Sequence, residues 1–366
     1  MNINGLRELK IGDLTARLPI IQGGMGVGIS LSGLAAAVAN EGGVGVIAAA
    51  GIGMLDYDFS TKFLEANLER LKSEIRKARE KTKGIIGVNI MVALTNYAEF
   101  VKASIEEGID IIFSGAGLPL NLPQYLEGKY ETKLVPIVSS ARAASVICKK
   151  WLDKYNYLPD AIVVEGPKAG GHLGFKEDQI YNPEYSLEKI IPEVINEVKP
   201  YEDKVGRPIP VIAGGGIYSG EDIYKFMKLG ASGVQMATRF VTTEECDASI
   251  DFKNTYINSK KGDVTIIKSP VGMPGRAIRN EFTDDISMGA KKPFKCPYHC
   301  IVTCDYKNSP YCIAMALTNA QKGDLENGFA FAGENAYRSD KIVSVKELMN
   351  TLQKEYADAA DNEKSL

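Results

Sequence analysis

Short apolar runs rich in β-branched residues recur through the first two thirds of the chain, each separated from the next by a longer amphipathic stretch. They fall at 18–24 (LPIIQGG), 43–49 (GVGVIAA), 85–91 (IIGVNIM), 110–115 (DIIFSG), 133–138 (KLVPIV), 161–166 (AIVVEG), 209–215 (IPVIAGG) and 233–238 (GVQMAT). Helix-like segments lie between them: 32–42, 62–80, 95–108, 141–155 and 219–230. Continuous apolar strands alternating with helices indicate a parallel sheet buried on both faces. Eight such units favour closure into a (β/α)₈ TIM barrel over an open doubly wound sheet. Several runs end in a small or polar residue: Gly23, Asn89, Ser114, Glu165 and Gly214. Barrel enzymes place their ligands at these carboxyl ends.

After about residue 243 the alternation stops. A basic stretch with Gly and Pro follows (269–280, SPVGMPGRAIRN), then a cysteine-rich segment and helix-like runs at 314–323 and 343–360. The expected organisation is a barrel over 1–250 and a mainly helical C-terminal extension over 251–366 that packs on the barrel. The final six residues, DNEKSL, are polar and expected to fray.

Composition narrows the class. The 366 residues exceed a typical domain, but α/β barrels commonly reach ~250 residues as one unit, which leaves roughly 100 for additions. A net charge of −3 gives no electrostatic reason to expect nucleic acid or an anionic membrane as partner. No apolar run approaches the ~18–20 residues of a membrane span. The opening MNINGLRELKIGD lacks the basic-then-apolar layout of a signal peptide, so a cytoplasmic location is expected.

The candidate chemistry begins on the last two strands. Strand seven ends in Gly214-Gly215-Gly216, ahead of a helix starting near Ser219 or Gly220, and strand eight ends in Gln235-Met236-Ala237-Thr238. Successive glycines let backbone N–H groups converge because no Cβ blocks the approach. A helix amino terminus adds unpaired donors, and this is the usual phosphate position in barrels. A tight turn alone would also use such glycines. The loop Gly23-Gly24-Met25-Gly26-Val27-Gly28 superficially matches a dinucleotide fingerprint, but its glycine spacing fails and no acidic residue ends the second strand. In a barrel it would instead let backbone lie against a flat ring, with Asn89 offering an amide to that ring or simply capping its strand.

His172 stands in a glycine-rich loop just past strand six, where an imidazole can approach a substrate and titrate near neutral pH. The other histidine, His299, lies among Cys296, Cys300, Cys304 and Cys312, where a ligand role and plain exposure are equally open. In a cytoplasmic chain such crowding suggests metal or redox chemistry before disulfides. If helical, the first three thiols share a face. Zinc, an iron–sulfur cluster, unligated thiols and disulfides all remain open, because the spacing matches no common zinc-ribbon or ferredoxin run.

Taken together, IIQGGM (20–25), GVNIM (87–91), SGAGLP (114–119), EGPKAGGHLG (165–174), IPVIAGGGI (209–217) and GVQMATRF (233–240) resemble the nitronate monooxygenases, formerly called 2-nitropropane dioxygenases. They are also similar to the FMN-dependent enoyl-acyl-carrier-protein reductases of type two. The resemblance spans roughly residues 10–250 and implies an FMN barrel. It places Gly23, Gly24 and Met25 along the isoalloxazine, Asn89 and Glu165 near its polar edge or ribityl chain, and Gly170 and Gly171 in the site wall. Gly214, Gly215, Gly216, Ala237 and Thr238 would hold the phosphate beside Gln235, and His172 would face the substrate. Ala237 departs from the glycine frequent in the family, and the cysteine-rich tail departs more. The implied reaction is oxidation of an alkyl nitronate with O₂ to a carbonyl compound and nitrite. The alternatives are NAD(P)H-dependent reduction of an enoyl thioester and a non-catalytic flavin or redox sensor. The chain is compatible with a homodimer.

Overall fold

The computed structural model describes residues 5–55, 62–128, 131–292, 294–296 and 298–364. Eight parallel strands form the centre: β1 (Ile20–Gln22), β2 (Gly45–Ala48), β3 (Ile86–Met91), β4 (Ile111–Gly115), β5 (Lys133–Val138), β6 (Ile162–Glu165), β7 (Val211–Gly214) and β8 (Gly233–Met236). Each lies inside one of the eight apolar runs. The ladder is continuous from β2 through β8 and on to β1. A parallel bridge between Ile21 and Val44 brings β1 back to the start of β2 and closes the ring.

Alternation along the strands divides two cores. Ile21, Val46, Phe113, Val135, Val163 and Ile212 fill the barrel interior together with Leu9 and Ile11. Their neighbours Ile20, Ile47, Val88, Ile112, Leu134, Ile162, Val211 and Val234 face the helices. A sheet buried on both faces explains why the runs read as continuously apolar. Leu9 and Ile11 belong to a small hairpin, Leu9–Ile11 paired with Leu14–Ala16. Its Gly12 turn lies against Lys133, the first residue of β5, so the hairpin seals the amino end of the barrel. Ligand access is left to the carboxyl end.

The five anticipated barrel helices are present at Ser32–Asn40, Phe63–Lys81, Tyr97–Glu106, Ala141–Tyr155 and Gly220–Lys228. A further helix, Leu187–Val205, carries Pro192 and Pro200 inside it. Prolines normally break such a pattern. Here Leu187, Ile190, Ile191, Val194 and Val198 are buried at helical spacing, and that stripe outweighs the lost backbone bonds.

The segment beyond β8 is helical at Ile250–Asn258, Glu281–Ser287, Ile313–Gln321 and Val345–Lys364. It also contains an unanticipated hairpin, Val264–Lys268 paired with Pro274–Ile278. The β-branched Val264-Thr265-Ile266-Ile267 supplies one strand, and Gly272 (φ 87°) sits in the turn. The last helix continues through Lys364, so most of the expected frayed end is ordered; Ser365 and Leu366 lie outside the described residues, as do the first four residues of the amino-terminal stretch. No helix among the described residues is long and apolar enough to cross a membrane.

Candidate active site

A cavity of about 640 Å³ opens at the carboxyl end of the barrel. That volume is in the range of sites that enclose most of a small ligand. Gly23, Gly24, Met25, Asn89, Glu165, Gly170, Gly171, His172, Gly215, Gly216, Gln235, Ala237 and Thr238 all line it. Gly214 does not. It is buried one step back within β7, where its carbonyl accepts the Gly166 N–H at 2.9 Å.

The glycine turn after β7 is built as the sequence suggests, with φ of 95° at Gly215 and 82° at Gly216. A Cβ on Gly215 would stand 3.0 Å from the Gly166 carbonyl oxygen and 3.1 Å from the Ala169 nitrogen. The glycine is therefore required by the neighbouring loop as well as by the cavity. One expectation fails here. The helix Gly220–Lys228 does not offer a free amino terminus: Gly220 N–H donates to Glu355 Oε2 at 2.7 Å and Asp222 N–H to Ser219 Oγ at 3.3 Å. Asp222 Oδ2 in turn accepts from the Tyr218 and Ser219 amides. The Ser219–Asp222 capping box and Glu355 of the last helix together satisfy these donors. A phosphate cradle here rests on Gly215, Gly216, Ala237 and Thr238, with Lys168 lining the same wall.

Across the cavity, Gly24 presses on Asn89 so closely that a Cβ would meet the Asn89 Cβ at 2.4 Å. Gly23 packs likewise against Gln235, and its N–H donates to the Met236 carbonyl at 2.8 Å. The first loop thus presents backbone to the cavity, as a flat ligand requires. Glu165 ends β6 facing the same space, and burial pushes its carboxyl up to about 7.

His172 is placed by two elements at once. Gly171–His172 pairs antiparallel with the outer hairpin, in the register His172 to Gly275 and Gly171 to Arg276. The imidazole Nε2 lies 2.7 Å from Ser269 Oγ, and the ring packs edge-on against Phe331 at 5.0 Å. Burial pushes the imidazole down to about 4. The side chain is therefore neutral at pH 7, contrary to the expectation that it titrates near neutrality. Buried Arg276 braces the loop from behind, donating to the carbonyls of Pro167 and Ala169. Gly170 allows that loop to touch the chain at Ala332 and Gly333, where a Cβ would come within 2.6 Å of backbone. Ser269, Arg276, Phe331 and Gly333 were not among the anticipated site residues. The only hint was the Gly- and Pro-containing stretch holding the first two.

Comparison with known proteins agrees with this geometry. The family profile described as nitronate monooxygenase matches residues 7–355. The chain belongs to the nitronate monooxygenase family. It is accordingly an oxidoreductase enzyme. A probable nitronate monooxygenase of Staphylococcus aureus (strain Newman) is 29% identical over 303 residues, covering 75% of this chain and 79% of that protein. Among solved structures, FabK from Thermotoga maritima superposes with a TM-score of 0.74 at 27% identity, covering 95% of each chain. Nitroalkane oxidase from Streptomyces ansochromogenes shares the fold with a TM-score of 0.73 at 20% identity, over 94% of this chain and 97% of that one.

Beyond the barrel features that mark a nitronate monooxygenase family member, Cys300 and Ile301 of the cysteine-rich segment line the cavity. Cys296 and residues 298–304 are not helical, so the condition under which three thiols would share a helical face is not met there. The chain instead folds back at His299 (φ 42°) and pairs Ile301 with Leu94. All six cysteines are free thiols. Among the described residues, no three or more His, Cys, Asp or Glu side chains are gathered for one metal ion. The His299 ring is engaged elsewhere, with Nε2 3.1 Å from the Cys304 carbonyl oxygen.

Proposed function

We propose that this chain is an FMN-dependent nitronate monooxygenase that converts alkyl nitronates and O₂ to carbonyl compounds and nitrite. One observation carries the reading: a single cavity holds a side-chain-free turn at Gly215–Gly216 on one wall and a neutral, hydrogen-bonded His172 on another. The residues present fit FMN. Gly215, Gly216, Ala237 and Thr238 would hold the phosphate, Gly23, Gly24 and Met25 would lie along the ring, and Asn89 and Gln235 would meet its polar edge. When bound, the flavin supplies the one-electron chemistry on the nitronate, which needs no amino-acid nucleophile.

The protein's own part is orientation. A neutral imidazole donates from one nitrogen and accepts at the other. Ser269 Oγ fixes Nε2, which leaves the rest of the ring to set the substrate's nitro group against the flavin position. A conjugate acid near 4 makes His172 a weak base, since general bases work best with a pKa near the operating pH. The preformed nitronate, which needs no proton removed from carbon, is therefore the favoured substrate form.

A second reading, NAD(P)H-dependent reduction of an enoyl thioester, draws on the apolar residues Met273, Ile313, Leu317 and Phe331 in the same wall, which suit an acyl chain. Anaerobic mixing of the flavin-loaded protein with propionate 3-nitronate, NADH or NADPH separates the two. Bleaching of the flavin absorbance by the nitronate and by neither nucleotide supports the monooxygenase; bleaching by a nucleotide alone rejects it.

A further inference from the structure

The loop after β6 and the glycine turn after β7 interlock at one corner of the cavity. Three successive carbonyls of the loop are held: Pro167 and Ala169 accept from the buried Arg276 guanidinium, and Lys168 accepts the Glu334 N–H at 3.1 Å. The Lys168 stem lies over the turn, where a Cβ on Gly216 would meet its Cβ at 2.8 Å and its Cδ at 3.1 Å. Residues from the extension close the same corner. Asn335 Nδ2 donates to the Gly216 carbonyl at 2.7 Å, and a Cβ on Gly333 would stand 2.7 Å from Thr238 Oγ1. Lys168, Gly216, Thr238 and Gly333 all line the cavity.

A phosphate monoester carries about two negative charges at pH 7, and a helix amino terminus commonly answers them. Here the helix Gly220–Lys228 gives its first donor to Glu355 and closes its cap with Ser219 and Asp222. Arg239 and Arg338 are committed as well, set over the Tyr218 ring at 4.9 and 4.4 Å and paired with Glu355 and Asp222. That leaves Lys168, which among the described residues is the only lysine or arginine lining the cavity. Its Nζ stands 3.6 Å from Glu334 Oε2, a charge pair too long for a hydrogen bond. Both side chains are exposed to solvent, and a pair of this kind is weak. We propose that the Lys168 ammonium binds the FMN phosphate and gives up Glu334 to do so. This role rests on the flavin reading, which puts the phosphate at this corner. A phosphate offers more charge and more acceptor oxygens than the Glu334 carboxylate, so the exchange favours the ligand. Glu334 stays beside the site, and without the lysine its carboxylate opposes the phosphate as a like charge.

The test measures dissociation constants of FMN and riboflavin for the flavin-free full chain by quenching of flavin fluorescence. Riboflavin lacks the phosphate and is otherwise the same ligand. Lys168→Met keeps a stem over Gly216 and removes the charge. It should weaken FMN by about 5–50-fold, a charge-assisted hydrogen bond discounted for solvent, and leave riboflavin within about twofold. Lys168→Arg, which keeps the charge, should hold FMN to within about threefold of wild type. Lys168→Met/Glu334→Gln should recover part of the loss, and Glu334→Gln alone should bind FMN at least as tightly as wild type. Equal FMN affinity in wild type and Lys168→Met overturns the proposal, as does an equal loss for both flavins, which would make the lysine a packing residue only. Failure of the wild-type chain to bind FMN at all would instead sink the flavin reading, and this role with it.

Discussion

Ser269 Oγ and His172 Nε2, 97 positions apart in sequence, stand 2.7 Å apart because the hairpin Val264–Ile278 pairs antiparallel with the loop that carries the histidine. The contact fixes one nitrogen of the ring and leaves the remainder of the imidazole to the cavity. Ser269→Ala removes the partner without touching the flavin cradle. A lost hydrogen bond of about 1–2 kcal/mol should lower kcat/KM with a nitronate by roughly 5–30-fold. Flavin affinity should not change. If steady-state rates match wild type, the serine does not position the ring.

His172→Asn tests the role of the imidazole itself. Since the ring is neutral at pH 7, the structure predicts similar losses, ~10–100-fold, on a preformed nitronate and on the parent nitroalkane. A base role would instead cost ~10²–10⁴-fold on the nitroalkane alone. Initial rates on both substrate forms decide between these. In wild type, the contribution of His172 should be flat from pH 6 to 8 and should be lost only as pH falls through about 4, where the ring takes up its second proton.

Gly215→Leu should abolish FMN retention. The residue holds φ of 95°, a region that costs an L side chain ~1–3 kcal/mol, and its Cβ would crowd the Gly166–Ala169 backbone. Flavin absorbance per chain after purification is the measurement. Full occupancy with unchanged affinity would show that the phosphate is held elsewhere.

Glu165 makes stability depend on pH in the flavin-free protein. Its carboxyl sits near 7 when folded and near ~4.3 when unfolded, so between these values the folded chain binds the extra proton. Its contribution is therefore full below about pH 4 and falls as pH rises through 7, by at most roughly 4 kcal/mol and by less where water enters the cavity. Thermal melts of the apoprotein at pH 5 and pH 8 should show a larger drop for wild type than for Glu165→Gln. Parallel curves for the two would mean that the carboxylate is well solvated.

The barrel was readable because a strand buried on both faces cannot hide its composition: all eight runs became strands. The backbone-lined parts of the site were equally readable, since close approach leaves glycine as its record at Gly24, Gly170 and Gly215. What the sequence concealed depends on tertiary partners. The helix Leu187–Val205 is masked by two prolines that its packing overrides. The free helix terminus behind the phosphate turn is absent because Glu355, 135 residues downstream, takes its first donor. The depressed basicity of His172 follows from burial under Phe331 and the hairpin, which no local pattern reveals.

The hairpin that pairs with His172 also separates two kinds of inheritance. Strand register and the glycine turns are constrained by one another, and a change in either disturbs the whole ring. The hairpin meets the histidine loop through a short ladder, Gly275 to His172 and Arg276 to Gly171, and its turn carries Met273 into the cavity wall. Met273 can change there while the flavin seat, which lies on other elements, stays constant. A lineage built on this plan can change which molecule it admits by rewriting one loop, and orthologues with the same barrel should diverge first at that loop.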